Sequence, residues 1–246
     1  MKKSIIILFL ISTVLFSISA HSQSYKRDAV VIDTPTAYTL DRGMYEFSFL
    51  AYDRGGVELK SYIGLHDNLY LGASFDVESA LGKEKARPNV PGVIAKLKIT
   101  DGWETFPISF AVGYDSFYMG QVGKTENYEN ELNRMIYGPY FVVTKPIYLL
   151  SDEQHIHFGV RVPAQPYYVP EDTSYFLSLD VPVGDFVIFK AESERVYCNF
   201  ERHDDWLLSF GLKYSYFNHI GVELDVMLQK HEYANRLLRI EYTDEF

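Results

Sequence analysis

Alternation of apolar and polar residues is the feature that most limits what this chain can fold into. In residues 68–78 every odd position is apolar, from Leu69 to Val77, whereas the even positions include Asn68, Asp76 and Glu78. A period of two places the odd set on one face of a β-strand and the even set on the other. Because the same plan recurs along most of the chain, the sequence predicts an all-β protein.

Turn-forming residues divide the alternating region into strands. The predicted strands are Gly43–Tyr52, Gly56–Leu65, Asn68–Glu78, Gly92–Thr100, Phe106–Ser116, Tyr137–Thr144, His155–Val162, Ser174–Val181, Asp185–Ser193, Trp206–Tyr216, His219–Gln229 and Asn235–Tyr242. Most connections alternate between short turns and long loops, which is typical of up-and-down membrane barrels. The exception is that Asp53–Gly55 is short although Ser79–Pro91, on the same side, is long. The sequence therefore predicts an antiparallel up-and-down transmembrane β-barrel of about 12 strands.

The N-terminus has the order of a secretory signal peptide. Lys2 and Lys3 precede an apolar run from Ile5 to Ile18, and small residues surround Ala20. This run is short for a membrane-spanning helix, so we predict cleavage near Ala20 or Ser22. Residues 21–42 read as an extended lead-in, and residues 43–246 as a single barrel domain. The predicted location is the outer membrane of a Gram-negative-type bacterium.

The polar face of the predicted strands carries charges of both signs. In a membrane barrel the apolar face contacts lipid and the charged face lines the lumen. The candidate lumen-lining residues are Glu46, Glu58, Lys60, Asp76, Glu78, Lys96, Lys98, His155, His157, Arg161, Lys213, Glu223, Asp225, Arg239 and Glu241. A soluble periplasmic or secreted barrel that binds an apolar ligand would show the same alternation turned inside out, and stays an alternative here.

Strand length and the end of the chain favour the membrane barrel. Several strands reach the nine to eleven residues that a tilted bilayer crossing needs. Leu238, Ile240, Tyr242 and Phe246 share one face, and a terminal Phe resembles the assembly signal of bacterial outer-membrane barrels, although Asp244 interrupts the pattern. The expected partners are thus outer-membrane lipid and the outer-membrane assembly machinery.

The composition argues against several other functions. The formal net charge of −10 makes nucleic acid an unsuitable partner, and the single Cys198 excludes an intramolecular disulfide framework. His155 and His157 share a face but have no identifiable third metal ligand, so we predict neither a metal site nor a cofactor. No Gly-x-Ser-x-Gly motif is present. We therefore do not predict an enzyme, and a membrane-barrel hydrolase is kept as an alternative.

The first strand and its lead-in resemble a known family. Thr34-Pro-Thr-Ala-Tyr-Thr-Leu-Asp-Arg-Gly43, followed by alternating strands and Asn89-Val-Pro-Gly92, is similar to the start of YjbH-like outer-membrane barrels. Some members of that family are linked to exopolysaccharide production or export. The resemblance implies a link to envelope polysaccharide machinery. Together these features predict a narrow channel or a structural or envelope-assembly component.

Overall fold

The computed structural model describes residues 27–102, 107–118, 135–149, 152–162, 173–197, 204–217, 219–229 and 235–246. The strands are β1 (Met44–Tyr52), β2 (Gly56–His66), β3 (Leu69–Glu78), β4 (Arg87–Pro88), β5 (Gly92–Thr100), β6 (Ser109–Tyr118), β7 (Met135–Leu149), β8 (Asp152–Arg161), β9 (Ser174–Val183), β10 (Val187–Tyr197), β11 (Asp204–Tyr216), β12 (Ile220–Gln229) and β13 (Asn235–Glu245). Within these ranges no helix has the length and apolar character to cross a bilayer.

The strands form one closed antiparallel barrel. Each long strand pairs with its neighbours in the chain, and β1 pairs with both β2 and β13, which closes the sheet. The two-residue β4 pairs only with β3, so the barrel wall has twelve strands. The predicted fold class is confirmed. The largest error in the predicted bounds concerns β7, which runs from Met135 to Leu149 rather than over the predicted Tyr137–Thr144.

The two faces of the barrel differ as the alternation predicts. Large apolar side chains are exposed on the outside of most strands, among them Phe47, Leu71, Phe158, Phe210, Leu224 and Ile240. Charged side chains lie buried inside the closed sheet, including Lys96, Lys190 and Glu223. A soluble barrel requires the opposite arrangement, so the alternative of a soluble barrel with an apolar ligand pocket is wrong. The outer surface is one that lipid covers, as in proteins of the outer membrane.

A charge on the lipid-facing surface is expected to destabilise the barrel. Leu224 lies near the middle of β12 and its side chain is 62% exposed. Leu224→Arg should lower the free energy of unfolding in lipid vesicles by about 2–4 kcal/mol, because the guanidinium would lie in hydrocarbon. Urea titration followed by tryptophan fluorescence measures this. Val90→Arg, in the connection after β4, is the matched control and should have little effect; equal losses in both variants would contradict a lipid-facing outer surface.

The two rims differ in the length of their connections. At the short-turn rim, residues 67–68 join β2 to β3 and residues 184–186 join β9 to β10. At the opposite rim, residues 79–91 join β3 to β5. The short connection Asp53–Gly55 also lies at this second rim, and the backbone N–H of Leu81 donates a 2.9 Å hydrogen bond to the Gly55 carbonyl. The long connection therefore packs over the short one, which accounts for the break in the alternation of loop lengths.

The end of the last strand, β13, contacts the beginning of the first strand, β1, at the short-turn rim. The N–H of Phe246 donates to the Gly43 carbonyl at 3.0 Å, and the Phe246 ring lies 4.9 Å from that of Tyr45. Asp244, which interrupts the apolar face, accepts a 2.6 Å hydrogen bond from the Tyr242 hydroxyl. Its carboxylate is thus paired at the rim, where water is available.

Candidate functional site

All of the predicted lumen-lining residues lie inside the barrel. The buried ones are Glu58, Lys60, Asp76, Lys96, His155, His157, Arg161, Lys213, Glu223, Asp225 and Arg239. The half-buried ones are Glu46, Glu78, Lys98 and Glu241. They do not form one site. Lys98 pairs with Asp101 at the short-turn rim, and Arg161 pairs with Asp115 and Glu194 further along the lumen.

The described part of the lead-in occupies the lumen. Residues 28–38 form a hairpin, which we call the luminal hairpin: Val30 and Pro35 make an antiparallel bridge, and the Val31 N–H donates to the Thr34 carbonyl at 2.9 Å. The chain enters at the short-turn rim, where Asp41 crosses Gly64. A Cβ at Gly64 would lie only 2.0 Å from the Asp41 carbonyl oxygen, so this crossing requires glycine.

The tip of the luminal hairpin is held by one carboxylate. Oε2 of Glu192, on β10, accepts hydrogen bonds from the backbone N–H groups of Ile32, Asp33 and Thr34 at 3.0–3.2 Å. The hydroxyl of Thr34 lies 2.9 Å from the same oxygen. All four partners are buried. Consecutive N–H groups that converge on an anion are a common anion-binding arrangement, and here the anion belongs to the barrel wall.

Wall lysines bind the first carboxylate of the hairpin. Both oxygens of Asp28 lie within 2.8 Å of the Lys213 ammonium, and one lies 3.0 Å from that of Lys190. Lys190 also donates to the Val31 carbonyl and to Glu223, both at 2.7 Å. Lys213 is balanced by Glu241 at 2.6 Å. Each lysine therefore contacts one hairpin carboxylate and one wall carboxylate.

The second hairpin carboxylate, that of Asp33, is completely buried. Its Oδ1 lies 3.4 Å from Arg239 and 3.8 Å from Lys60. Arg239 also contacts Glu223 at 3.3 Å, so Glu223 stands between the positions of Asp28 and Asp33. Nearby, Lys96 donates to the backbone carbonyls of Ala29 and Tyr38 at 2.6 and 3.1 Å.

The two histidines contact the returning arm of the hairpin. Their rings pack against Tyr38, with centroids 5.2 and 6.3 Å away. Asp180 bridges them, because its two oxygens lie 2.7 Å from His155 Nδ1 and 2.6 Å from His157 Nε2. Within the described ranges no group of three or more metal-binding side chains has the geometry of a metal site. The pair thus forms a hydrogen-bonded network with the wall.

Thr144, His157 and Asp180 have the composition of a hydrolase triad but not its accessibility. The Thr144 hydroxyl lies 2.8 Å from His157 Nδ1, so the ring nitrogens are exchanged relative to a serine hydrolase. The same hydroxyl accepts the Ala37 N–H at 2.8 Å, and both Thr144 and His157 are fully buried. The hydroxyl is thus covered by the hairpin and has no exposed surface at which a substrate could bind. The geometry gives no support to the hydrolase alternative.

Apolar contacts complete the filling of the lumen. Val31 and Ile32 of the hairpin pack in a buried cluster that also contains Leu40, Leu50, Tyr52, Tyr62, Tyr70, Ile94, Leu207, Met227 and Leu237. Ala37 belongs to a second cluster with Ala111, Tyr140, Val142 and Phe176. A cavity beside the hairpin, bordered by Asp28 and Arg239, has a volume of about 10 Å³. That is room for about one water molecule.

Sequence reasoning missed the residues that matter most here. It gave the lead-in no role, and it did not single out Asp28, Asp33, Glu192 or Asp180. One signal was present: the lead-in contains Val30-Val-Ile32, an apolar run that has no reason to lie in water. Alternation could not place this run, because contacts with Glu192 span about 160 residues of sequence.

Comparisons with known proteins agree with this architecture. No protein-family model and no curated protein matches the chain. Among solved structures, the KdgM porin aligns with a TM-score of 0.53 and 11% identity over 81% of this chain and 98% of its own. The KdgM porin in complex with disordered oligogalacturonate gives the same TM-score and identity over 82% and 99%. Omp33 of Acinetobacter baumannii gives a TM-score of 0.48 at 10% identity over 84% and 99%. The chain therefore has the fold of an outer-membrane β-barrel.

Proposed function

We propose that the protein is an outer-membrane passage that its own N-terminal segment keeps closed. The observation that carries this proposal is the luminal hairpin, whose tip and arms bind wall residues through hydrogen bonds and ion pairs. Apart from the chain connection through residues 39–43, every described contact of the hairpin with the wall is non-covalent. Within the described ranges no covalent bond outside this connection holds the hairpin in the lumen, and in this proposal the passage conducts only when the hairpin has left.

Withdrawal towards the short-turn rim is the simplest route. Arg27 lies at this rim, where it donates a 2.9 Å hydrogen bond to Glu153 at the beginning of β8. The hairpin thus enters and returns on the same side, so it has no need to pass through the barrel. In outer-membrane barrels the short turns face the periplasm, which makes the periplasm the side from which the passage would be opened.

Single-channel recording tests the closure. Wild-type protein should be silent in a planar bilayer, whereas Asp28→Asn/Asp33→Asn, which weakens the ion pairs of the hairpin, should open. A disulfide can then hold the hairpin of this variant in place: Ala37→Cys/Thr144→Cys, in a Cys198→Ser background, joins two positions whose N and Oγ1 atoms lie 2.8 Å apart. The tethered variant should be silent until a reducing agent is added.

The outcome also separates the passage from a second candidate function, a structural barrel. Buried aromatic side chains that belong to the wall, such as Tyr70, Tyr140 and Phe176, also fill part of the lumen. If the hairpin leaves and the lumen still does not conduct, the wall itself closes the barrel. A structural or envelope-assembly role would then replace the passage.

A link to envelope polysaccharide is part of the proposal. It is supported by the resemblance of residues 34–43 to YjbH-like barrels, because that segment runs from the luminal hairpin into β1. The KdgM porin, which has the same fold, is known in complex with oligogalacturonate. We also propose that the last strand, ending at Phe246, engages the assembly machinery of the outer membrane. Deletion of Phe246 should slow the appearance of folded barrel in membranes.

A further inference from the structure

The hairpin places carboxylates where the basic side chains of the wall converge. Lys190 and Lys213 hold Asp28, while Arg239 and Lys60 face Asp33. We call these two positions the carboxylate seats. In the first seat the two lysines bind the carboxylate through charge-assisted contacts of 2.7–3.0 Å. In the second seat the completely buried carboxylate forms longer ion pairs, 3.4 Å to Arg239 and 3.8 Å to Lys60. Without the hairpin the four cations keep wall partners but lose both of these carboxylates.

The wall also needs hydrogen-bond donors at the same depth. Oε2 of Glu192 loses its four contacts when the hairpin leaves. Asp225 lacks donors even while the hairpin is in place: among the described residues neither of its buried carboxylate oxygens has a hydrogen-bond donor. Its carboxylate lies against Gly211, which the Ile32 side chain also approaches. An occupant other than the hairpin must therefore supply several donors as well as carboxylates.

We infer that the carboxylate seats, with Glu192 and Asp225, form a binding site for a short acidic oligosaccharide, and that the hairpin occupies this site in its place. A sugar acid combines the required groups: its carboxylate accepts from lysine and arginine, and its neighbouring hydroxyls donate to Glu192 and Asp225. A simple anion would leave the two wall carboxylates without donors. A neutral sugar would leave the four cations without their second partner.

The charge of the wall limits the length of the ligand. Glu223 separates the two seats, and Glu241 borders the first. A long polyanion would meet these carboxylates, whereas a di- or trisaccharide can place its acid groups in the seats, as the hairpin does with Asp28 and Asp33. This inference rests on the proposed function, because the site exists only when the hairpin has left.

Binding is measured by calorimetry on full-length protein in detergent, with trigalacturonate as the acidic probe and maltotriose as the neutral one. The Asp28→Asn/Asp33→Asn variant should bind trigalacturonate about tenfold or more tightly than wild type, because the seats have lost their internal carboxylates. It should not bind maltotriose. Adding Lys213→Met should abolish binding. Lys145→Met, an exposed lysine of β7, is the matched control and should change nothing.

The substitution Ala37→Cys reports where the hairpin is during the same experiment. Ala37 is fully buried, so a thiol introduced there, in a Cys198→Ser background, reacts with a soluble maleimide only after withdrawal. If this thiol is labelled and trigalacturonate does not bind, the sugar-binding site is wrong, although the proposed closure of the passage by the hairpin is retained. Equal binding of maltotriose also overturns the inference.

Protection of the introduced thiol from maleimide would contradict both the sugar site and the proposed function. If it stays unlabelled in the Asp28→Asn/Asp33→Asn variant and in Glu192→Leu, the seats are never vacated, and both the site and the gating are excluded. Binding of a synthetic hairpin peptide but not of trigalacturonate would overturn the sugar site and identify a peptide site instead.

Discussion

Replacing Glu192 by leucine should release the luminal hairpin and cost more stability than most single substitutions. Oε2 of this residue is the shared acceptor for the backbone N–H groups of Ile32, Asp33 and Thr34. Leucine leaves these buried donors without a partner, at about 1–3 kcal/mol for each donor that water does not reach. The expected loss in the free energy of unfolding is about 3–6 kcal/mol. It is measured by incubating the protein at increasing urea concentrations and quantifying, by electrophoresis without boiling, the fraction that migrates as folded barrel.

Two matched variants show whether the loss comes from the unpaired donors. Glu192→Gln keeps an oxygen that accepts, so it should cost only about 1–2 kcal/mol. Ser178→Ala removes a partner of the Thr34 hydroxyl and leaves the three N–H bonds intact, with an expected cost of about 1 kcal/mol. If Leu and Gln at position 192 cost the same, the N–H contacts do not hold the hairpin. The rate of maleimide labelling of the thiol introduced by Ala37→Cys should be higher in the Glu192→Leu background than in the Glu192→Gln background.

The barrel wall could be predicted from the sequence because its rule is local. In a strand the direction of each side chain follows from its position alone, so the charged residues of β12 and β13, Glu223, Asp225 and Arg239, could be assigned to the lumen before any contact was known. The strand count was also recoverable, because turn-forming residues separate the alternating segments. The last residues of β7 were missed because Pro146, which favours a turn when read locally, lies just after the predicted end at Thr144.

The luminal hairpin could not be predicted because every rule that places it is non-local. Residues 28–38 have neither a period of two nor one of 3.6, and Pro35 favours an extended segment. Their partners lie on β2, β5, β7, β9, β10, β11 and β13, far away in sequence. The predicted lumen residues gave no sign of a missing partner either, because their seven carboxylates outnumber their six lysines and arginines.

Replacing Lys190 by methionine should be the second strongly destabilising change. The Lys190 side chain is fully buried, and its ammonium contacts the Val31 carbonyl, Asp28 and Glu223. Methionine fills nearly the same volume, so packing is preserved while three acceptors lose a cation. Removing one partner of a buried charge network typically costs about 3–5 kcal/mol, and we expect a loss of that size in the free energy of unfolding, measured by the same urea titration.

A double-mutant cycle separates the contact with the hairpin from the contacts within the wall. Asp28→Asn removes the hairpin carboxylate, so Lys190→Met should cost about 1–3 kcal/mol less in that background than in the wild type. Lys145→Met on the outer face of β7 controls for the loss of a lysine and should lower the stability by less than about 0.5 kcal/mol. Strict additivity of Lys190→Met and Asp28→Asn would mean that the Asp28 carboxylate does not contribute to what Lys190 stabilises. Coupling between them would mean that closing the lumen and stabilising the barrel depend on the same ammonium group. A ligand that displaces Asp28 from Lys190 must then contact this ammonium group in place of the Asp28 carboxylate.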